Sequence, residues 1–401
     1  MMVDNLILEK KIGKGAFGEV YLTLLKGDKT LTYYATKKLE RADVEGTNAL
    51  KYIKNEIQIL EVLNHPNIAK FCSLKKTKKH YYLVMEYCNG GDLAEALEKY
   101  QKKYNKPFSQ EIVQHLMRQI IDAFKYIHEN KIIHRDIKLE NILLHFELKK
   151  DKESLDMMKA QVKIIDFGFA CYISKRGLLY STLGSPINMD PIILRKLNSR
   201  SKKDKELGYD QKADIWSLGT ICYEMLIGKS AFDAEDMEEL VNKIEDGTYT
   251  VPTTLSKEMV SFLNGMLQYN PNNRLSSKEL SKHAFLTKDV RSFHKINIKE
   301  VSKNIDENGL KINVKKNKSI WAIFNADDEE KLINIDGSDF EDYDNQEKNI
   351  ANKIKEMNIN DGYGPMLPFK GIPGNPTNKD INNIEKSQED EDFHYSINNE
   401  I

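Results

Sequence analysis

Apolar positions along the chain change their spacing between its first and second parts. From Leu6 to about residue 88, most apolar residues lie in short β-branched and aliphatic runs, which predict strands. Residues 50–63 are the exception, since their apolar positions are three and four apart and predict a helix. A broader helical face follows, which we expect to be core with no role in binding. Its residues are Ile112, Val113, Leu116, Met117, Ile120, Ile121, Phe124 and Ile127.

Composition narrows the class of protein. The net charge is −1 over 401 residues, so no global field favours nucleic acid or an anionic membrane. The four cysteines form no CxxC pair, which argues against a disulfide framework or a zinc site. We find no signal segment at the start of the sequence and no apolar run of the ~18 residues that a membrane span needs. The chain is expected to be a cytoplasmic protein without a transmembrane segment.

One stretch of polar residues carries the candidate chemistry. Residues 134–141 have the form H-R-D-x-K-x-x-N, and an Asp-Phe-Gly string begins at Asp166 after 24 intervening residues. Phosphoryl transfer needs an acceptor for the proton of the attacking hydroxyl, a cation on the moving group and oxygen ligands for magnesium. Asp136 provides the first and Lys138 the second, while Asn141 and Asp166 provide the third.

A glycine-rich loop and a strand lysine precede this stretch. Residues 13–20 have the form G-x-G-x-x-G-x-V, in which glycines let backbone N–H groups approach phosphates. Dinucleotide-binding folds use a similar motif but continue into a helix, whereas β-rich sequence follows here and favours a hairpin. Lys37, at the end of Tyr-Ala-Thr-Lys, would be a solvated charge in isolation. At this distance from the loop it is better interpreted as a clamp on the α- and β-phosphates.

Together, these motifs resemble those of eukaryotic protein kinases. The resemblance covers about residues 6–286 and implies an α+β fold with two lobes. The N-lobe, about residues 6–88, would hold a small antiparallel sheet and one main helix. The C-lobe, about residues 89–286, would be larger and helical. The segment between Asn141 and Asp166 is long for this family, and its surplus, around residues 149–159, is predicted to be a charged surface loop at a hairpin tip.

The resemblance also assigns the cofactors, ATP and Mg²⁺. Magnesium would be bound by Asn141 and Asp166. Glu56 would pair with Lys37 because the following His-Pro-Asn-Ile aligns it there, with Glu45 and Glu61 as competing choices. Met85 would be the gatekeeper, and Glu86 and Cys88 would offer hinge backbone groups to adenine. The full set of nucleotide-binding residues is Ile12, Gly13, Lys14, Gly15, Ala16, Phe17, Gly18, Glu19, Val20, Ala35, Lys37, Glu56, Met85, Glu86, Cys88, Leu143 and Asp166.

The segment after Asp-Phe-Gly is predicted to be regulated by phosphorylation. Arg135 precedes the catalytic aspartate and could bind a phosphate on this segment. Thr182 is the preferred acceptor, with Ser181 next, and either an upstream kinase or trans-autophosphorylation would modify them. Ser174 and Tyr180 are weaker candidates. Alternatively, Thr182 only packs, and the segment is ordered without phosphate.

The chain departs from the family where Ala-Pro-Glu is usual. Residues 190–192 are Asp-Pro-Ile, so the buried arginine of the family, here Arg274, lacks its glutamate. Asp190 is the candidate substitute, and partial solvation of Arg274 is the alternative. Asp214 opens a predicted central helix, 210–232, and would brace the catalytic loop. The basic residues of 195–205 are either a solvated loop or a docking surface for acidic substrate or lipid.

The sequence after residue 286 changes in character. Residues 336–347 hold six acids and no base, and residues 362–376 hold four glycines and four prolines. Such sequence buries too little apolar surface to offset the ordering entropy, so 287–401 is predicted to be a disordered, acidic and asparagine-rich tail. The apolar island 320–324 could still dock. Truncation near residue 290 is therefore expected to be tolerated.

The leading hypothesis is a non-specific serine/threonine protein kinase. Lys138, two residues after Asp136, is the arrangement of serine/threonine kinases, and Phe169 suggests serine as the acceptor. Residues 166–173 and the Thr-Leu-Gly-Ser-Pro of 182–186 are similar to motifs of the autophagy-initiating kinases, which implies a role in autophagy. The alternative is a pseudokinase scaffold that recruits partners through its tail and insertions. A kinase of sugars or lipids is excluded because Trp216 and Arg274 belong to a protein-kinase context.

Overall fold

The computed structural model describes residues 2–3, 6–15, 18–27, 32–45, 49–173, 179, 181, 184–198, 207–296 and 304–315. The N-terminal part is an antiparallel sheet in the order β1-β2-β3-β4-β6-β5, with two helices. Its strands are β1 (Met2–Val3), β2 (Leu6–Gly15), β3 (Gly18–Leu25), β4 (Tyr33–Glu40), β5 (Phe71–Lys76) and β6 (His80–Glu86). Its helices are α1 (Arg41–Val44) and α2 (Ala49–Val62). The predicted N-lobe architecture is confirmed.

Alternation along β6 gives the sheet two apolar faces. Tyr82 and Val84 join one cluster, whereas Leu83 joins a second cluster with Ile53 of α2. Successive strand residues point to opposite faces, so these clusters lie on the two sides of the sheet. The later turns of α2 bury Leu60 in the main core of the other lobe. The helix therefore connects the two lobes.

The second lobe is mainly helical, as predicted. Within the described ranges, the helices of this lobe are α3 (Leu93–Tyr104), α4 (Gln110–Glu129), α5 (Lys149–Ser154), α6 (Pro191–Asn198), α7 (Lys212–Ile227), α8 (Met237–Asp246), α9 (Lys257–Met266), α10 (Ser277–Leu280) and α11 (Ala284–Thr287). Its short strands are β7 (Ile132–Ile133), β8 (Ile142–His145), β9 (Gln161–Ile164), β10 (Cys171–Tyr172), β11 (Thr248–Val251), β12 (Ile305–Asp306) and β13 (Gly309–Asn313).

Two long helices form the centre of this lobe. The apolar face predicted for α4 is buried throughout, and Ser109 caps the helix by accepting from the N–H of Ile112 at 3.3 Å. α7 is shorter than predicted because Gly228 adopts a φ of 82° and ends it. Most of α7 is buried, including the fully buried Trp216. The longest helices thus form the support for the loops between them.

The segment between Asn141 and Asp166 is more ordered than a surface loop. β8 and β9 form the predicted hairpin, and the exposed helix α5 lies near its tip. Residues 157–159 then form a 3₁₀ turn that buries Met157 in the main core. The prediction of a surface loop around residues 149–159 is wrong, because the charged pattern concealed this apolar anchor.

The predicted disorder of residues 287–401 is wrong for residues 287–296, where Ile296 is buried in the main core, and for residues 304–315. β12 and β13 form a hairpin, and β13 pairs with β11. Three apolar residues of this hairpin, Leu310, Ile312 and Val314, are buried in the main core. Their alternation is a strand signal that the surrounding polar composition hid. Residues 316–401, including the island 320–324, lie outside the described part of the chain. Among the helices described, none is long and apolar enough to cross a membrane.

Candidate active site

The glycine-rich motif forms the turn of a hairpin, as predicted. Gly13 pairs with Val20, and Gly15 pairs with Gly18. A Cβ on Gly18 would lie 2.0 Å from the carbonyl oxygen of Lys38, so the close approach of β3 to β4 requires glycine there. Ala16 and Phe17 lie outside the described residues.

Lys14 and Glu19 are also cross-strand partners in this hairpin. The Glu19 carboxylate accepts hydrogen bonds from Lys11 Nζ at 2.5 Å and from the Tyr21 hydroxyl at 2.7 Å. These bonds lower the pKa of Glu19 to about 2. The carboxylate therefore stays ionised and tied to its neighbours in the hairpin.

The phosphate-clamp lysine lies opposite the expected acid. Lys37 Nζ, on β4, is 3.5 Å from Glu56 Oε2 on α2. Burial alone would lower the pKa of Lys37, but the charges of Glu56 and Asp166 outweigh it and raise that pKa. The competing acids are placed elsewhere, because Glu45 is bonded to Arg41 and Glu61 is exposed. The pairing is as predicted, and the clamp role stays a prediction.

The connection between the lobes is fixed by a carboxylate. Glu86 Oε1 lies 2.6 Å from Lys163 Nζ, and Glu86 Oε2 accepts the N–H of Lys70 at 3.1 Å. Burial and the charge of Glu86 raise the pKa of the Cys88 thiol to about 12, so it stays protonated. These contacts hold the hinge against β9, which ends two residues before Asp166.

Side chains predicted to surround adenine come from both lobes. Ala35 pairs with Met85 across β4 and β6. Leu143 lies on β8 in the other lobe and is half-buried, whereas Ile12 on β2 is 40% exposed. Their contacts with adenine stay predictions.

The catalytic string converges on Asp136. Lys138 Nζ lies 3.0 Å from Asp136 Oδ2, and Asn141 Nδ2 donates to the same oxygen at 3.0 Å. The Ser185 hydroxyl donates to Asp136 Oδ1 at 2.7 Å and accepts from Lys138 Nζ at 3.2 Å. Asp136 is 4% exposed. Sequence reasoning treated Ser185 only as part of a turn motif and missed this contact.

Asp166 and Arg135 adopt strained backbone conformations. Their φ values are 63° and 69°, in the left-handed region that costs a non-glycine residue about 1–3 kcal/mol.

Asn55 of α2, which the sequence did not single out, donates to the carbonyl oxygen of Ala170 at 2.6 Å. Phe167 is fully buried, and its ring packs edge-to-face against the His134 ring with 4.9 Å between the ring centres. The Asp-Phe-Gly turn is thereby held beside the catalytic loop.

Asp214 braces the catalytic loop as predicted. Its carboxylate accepts the backbone N–H groups of His134 at 2.9 Å and Arg135 at 3.0 Å. His128, which sequence reasoning missed, places Nε2 3.0 Å from Asp214 Oδ2. Burial would raise the pKa of Asp214, but the contacts and charges of His128 and His134 outweigh it and lower that pKa. The brace is therefore a carboxylate at neutral pH.

Magnesium needs oxygen donors, and the residues present fit it. Asn141 turns its amide nitrogen toward Asp136, which leaves the amide oxygen as a donor. The Asp166 carboxylate is close enough to Lys37 and Glu56 to raise the pKa of both. Mg²⁺ bound with phosphates takes few protein ligands of this kind, so these two suffice. No group of three His, Cys, Asp or Glu side chains that could hold a metal alone occurs in the described ranges.

The activation segment contacts Arg135 through Ser181. Arg135 Nη1 donates to the Ser181 hydroxyl at 2.5 Å, and Arg135 Nε donates to the Phe169 carbonyl at 2.5 Å. The Tyr209 hydroxyl donates to the Ser181 carbonyl at 2.8 Å. The other candidate acceptors, Ser174, Tyr180 and Thr182, lie outside the described residues.

Asp190 is the partner of Arg274, which confirms the predicted substitute. The two side chains form an ion pair that is almost fully buried. Arg274 also donates to the carbonyl oxygens of Gln268 at 2.7 Å and Tyr269 at 3.2 Å. Because its donors are satisfied in this way, the missing glutamate leaves no unpaired buried charge. Ile192, which occupies the position where the family has glutamate, donates its backbone N–H to Asp190 Oδ1 at 2.7 Å.

The basic insertion is only partly within the described residues. Arg195 and Lys196 lie on α6, where Lys196 is buried and Arg195 is exposed. Lys196 is therefore not part of a solvated surface, and the two alternatives for the insertion stay predictions. The remaining basic residues, Arg200, Lys202, Lys203 and Lys205, lie outside the described residues.

A lysine–glutamate pair on one lobe faces an aspartate, lysine and asparagine on the other. This arrangement defines the class of phosphotransferases that bind a nucleotide between two lobes. The sequence profile of the protein kinase domain matches residues 6–286, and the chain belongs to the protein kinase family.

Three relatives illustrate its position within that family. Serine/threonine-protein kinase apg-1 of Neurospora crassa is 29% identical over 327 residues, covering 72% of this chain and 32% of that protein. Serine/threonine-protein kinase ATG1 of Debaryomyces hansenii is 29% identical over 308 residues, covering 70% and 34%. Serine/threonine-protein kinase PLK4 of Drosophila grimshawi is 28% identical over 287 residues, covering 71% and 34%. The similarity to autophagy-initiating kinases is confirmed, and this chain spans about a third of the length of these relatives.

Proposed function

We propose that this chain is a serine/threonine protein kinase that transfers the γ-phosphoryl group of Mg-ATP to hydroxyl groups of proteins. The observation that supports this proposal most directly is the position of the Ser185 hydroxyl. It donates a hydrogen bond to Asp136 Oδ1 at 2.7 Å and lies 3.2 Å from Lys138 Nζ. An aliphatic hydroxyl therefore fits between the acceptor of its proton and the cation that would meet the transferred group.

Each residue has a distinct task in this mechanism. Asp136 orients the substrate hydroxyl and accepts its proton, and Lys138 stabilises charge on the transferred group. Lys37, held by Glu56, binds the α- and β-phosphates. Asn141 and Asp166 would hold magnesium, which neutralises phosphate charge when bound. Catalysis is then mostly positioning and electrostatic stabilisation.

We also propose the finer properties that the family resemblance implies. Serine is preferred over threonine because Phe169 follows Asp-Phe-Gly, and several protein substrates are accepted. The pathway is autophagy in the cytoplasm, a proposal supported by the similarity to apg-1 and ATG1. No observation among the described residues favours the pseudokinase alternative, since Lys37, Asp136 and Asp166 are all present in the cleft.

Phosphorylation of the activation segment belongs to the same proposal. Thr182 remains the preferred acceptor, by an upstream kinase or in trans. The contact of Arg135 with Ser181 supports Ser181 as a second acceptor. A phosphate there would add charge-assisted hydrogen bonds to Arg135. Mass spectrometry of active protein before and after phosphatase tests this, and full activity with both residues unmodified contradicts it.

A peptide-array assay with purified full chain and Mg-ATP tests the main proposal. We expect label on serine and threonine peptides, with serine favoured. Asp166→Asn is the control, because it keeps the size of the side chain and removes the charge that holds magnesium. Label confined to tyrosine, or equal labelling by the variant, would contradict the assignment.

A further inference from the structure

The folded part of the C-lobe continues beyond the residues that match the kinase family. Residues 304–315, here called the C-terminal strap, add a hairpin to β11. Leu310 pairs with Val251 and Ile312 pairs with Tyr249, and both Leu310 and Ile312 are fully buried. The strap thus supplies side chains to the core of the lobe.

A glycine on each side of this contact lets the two segments approach closely. Gly309 has a φ of 128°, and a Cβ there would lie 2.4 Å from the carbonyl oxygen of Val251. Gly247 has a φ of 65°, and its Cβ would lie 2.7 Å from Val314 Cγ2. A Cβ at position 309 would therefore press on the backbone of β11, and a Cβ at position 247 would press on the side chain of Val314.

The end of the strap lies against Tyr269. Val314 accepts the backbone N–H of Tyr269 at 3.4 Å and donates its own N–H to Gly247 at 2.7 Å. Lys315 Nζ lies 3.1 Å from Glu245 Oε2 and 4.6 Å from the centre of the Tyr269 ring. The Tyr269 hydroxyl donates to Glu245 Oε1 at 2.6 Å. Tyr269 is therefore fixed through its backbone, ring and hydroxyl.

Tyr269 in turn contacts the ion pair under the activation segment. Its carbonyl oxygen accepts from Arg274 Nη2 at 3.2 Å, and Arg274 pairs with Asp190. The Arg195 side chain of α6 lies near the Tyr269 hydroxyl and acts on it electrostatically. Asp190 and α6 belong to residues 184–198, which we call the substrate platform. A continuous series of contacts thus joins the strap to the platform.

We propose that the C-terminal strap is an integral part of the kinase domain and positions the substrate platform by fixing Tyr269 beneath Arg274. The strap supports the platform where the usual glutamate is replaced by Ile192. Only the kinetic consequence rests on the proposed kinase activity, and the structural consequence does not.

The test compares two charge reversals on the strap in the full chain. Lys315→Glu places two acids together beside Tyr269, whereas the matched control Lys311→Glu disturbs an equivalent ion pair with Asp306, 2.8 Å away. Hydrogen exchange in α6 should become about three- to tenfold faster in the first variant only. The KM for a peptide should rise in the same variant, with the KM for ATP unchanged.

Each possible result decides a different point. Equal exchange in α6 for the two variants would overturn the positioning role. Absence of phosphoryl transfer in the wild-type chain would instead contradict the proposed function, while the exchange comparison still decides the inference. Ile312→Asn tests the integral role, because it should lower the melting temperature by about 5 °C or more relative to Lys311→Asn. Equal melting temperatures would overturn that role.

Discussion

The catalytic loop and the substrate platform are each held by a buried aspartate, but in different ways. Asp214 accepts two backbone N–H groups and a histidine, so it supports the loop whatever side chains the loop carries. Asp190 instead neutralises the single side chain of Arg274, which is 84 positions away in the sequence. A loop held through its backbone tolerates substitution, whereas an ion pair between two side chains depends on both partners and on what surrounds them.

The largest expected effect is on catalysis, from the N-lobe side of the cleft. Lys37→Met should reduce phosphoryl transfer by about a hundredfold or more while leaving the fold largely intact. The reason is the loss of the cation on the phosphates opposite Glu56. Steady-state kinetics and thermal melting on the same preparation check both parts. Near wild-type turnover would exclude the clamp role.

Breaking the platform ion pair should affect stability more than any change at the loop surface. Asp190→Asn leaves the Arg274 charge buried and uncompensated, which costs about 3–5 kcal/mol. Denaturant unfolding measures this loss. The comparison variant Ile192→Glu restores the usual residue of the family, and it should be far less destabilising. A small cost for Asp190→Asn would show that Arg274 is satisfied without its carboxylate.

Truncation tests where the domain ends, since the sequence alone predicted that residues after about 290 are dispensable. A chain ending at residue 315 should melt like the full protein. A chain ending at 296 lacks Leu310, Ile312 and Val314 and should melt about 5–10 °C lower or fail to fold. Equal stability of the two truncations would restore the shorter boundary.

The smallest expected effect concerns a carboxyl group beside the catalytic loop. Burial, with a contribution from the charge of Glu140, raises the pKa of Glu224 to about 7. The folded state then holds a proton that the unfolded state releases near pH 4.5, so stability falls as pH rises from about 4.5 to 7. Glu224→Gln should remove this part of the pH dependence in thermal melts. If the melting temperatures of the two proteins changed with pH in the same way, the shifted pKa of Glu224 would be contradicted.

The contrast between loop and platform also explains what the sequence could predict. The catalytic string, the strand lysine and the brace by Asp214 are short motifs whose chemistry is tied to their spacing. Asn55, His128 and Ser185 were missed because each acts through a partner far away in the sequence. Nothing in a local pattern reveals such a contact.

The strap was missed for a related reason. Its three alternating apolar residues are too few to outweigh the polar sequence around them, and their burial depends on pairing with β11, about 60 residues earlier. Asp190 was predicted as the partner of Arg274 only because a missing family residue drew attention to it. The contacts that the sequence did not predict are therefore those that depend on pairing between distant parts of the chain.

The role proposed for Asp136 is to accept the substrate proton in a working phosphoryl-transfer site. The most direct measurement combines calorimetric binding of Mg-ATP with transfer to serine peptides, for the full chain and for Asp136→Asn. We predict that both proteins bind the nucleotide with similar affinity and that the variant transfers about 10²- to 10⁴-fold more slowly. Nucleotide binding without phosphoryl transfer by the wild-type chain, or equal transfer by the variant, would contradict this role of Asp136.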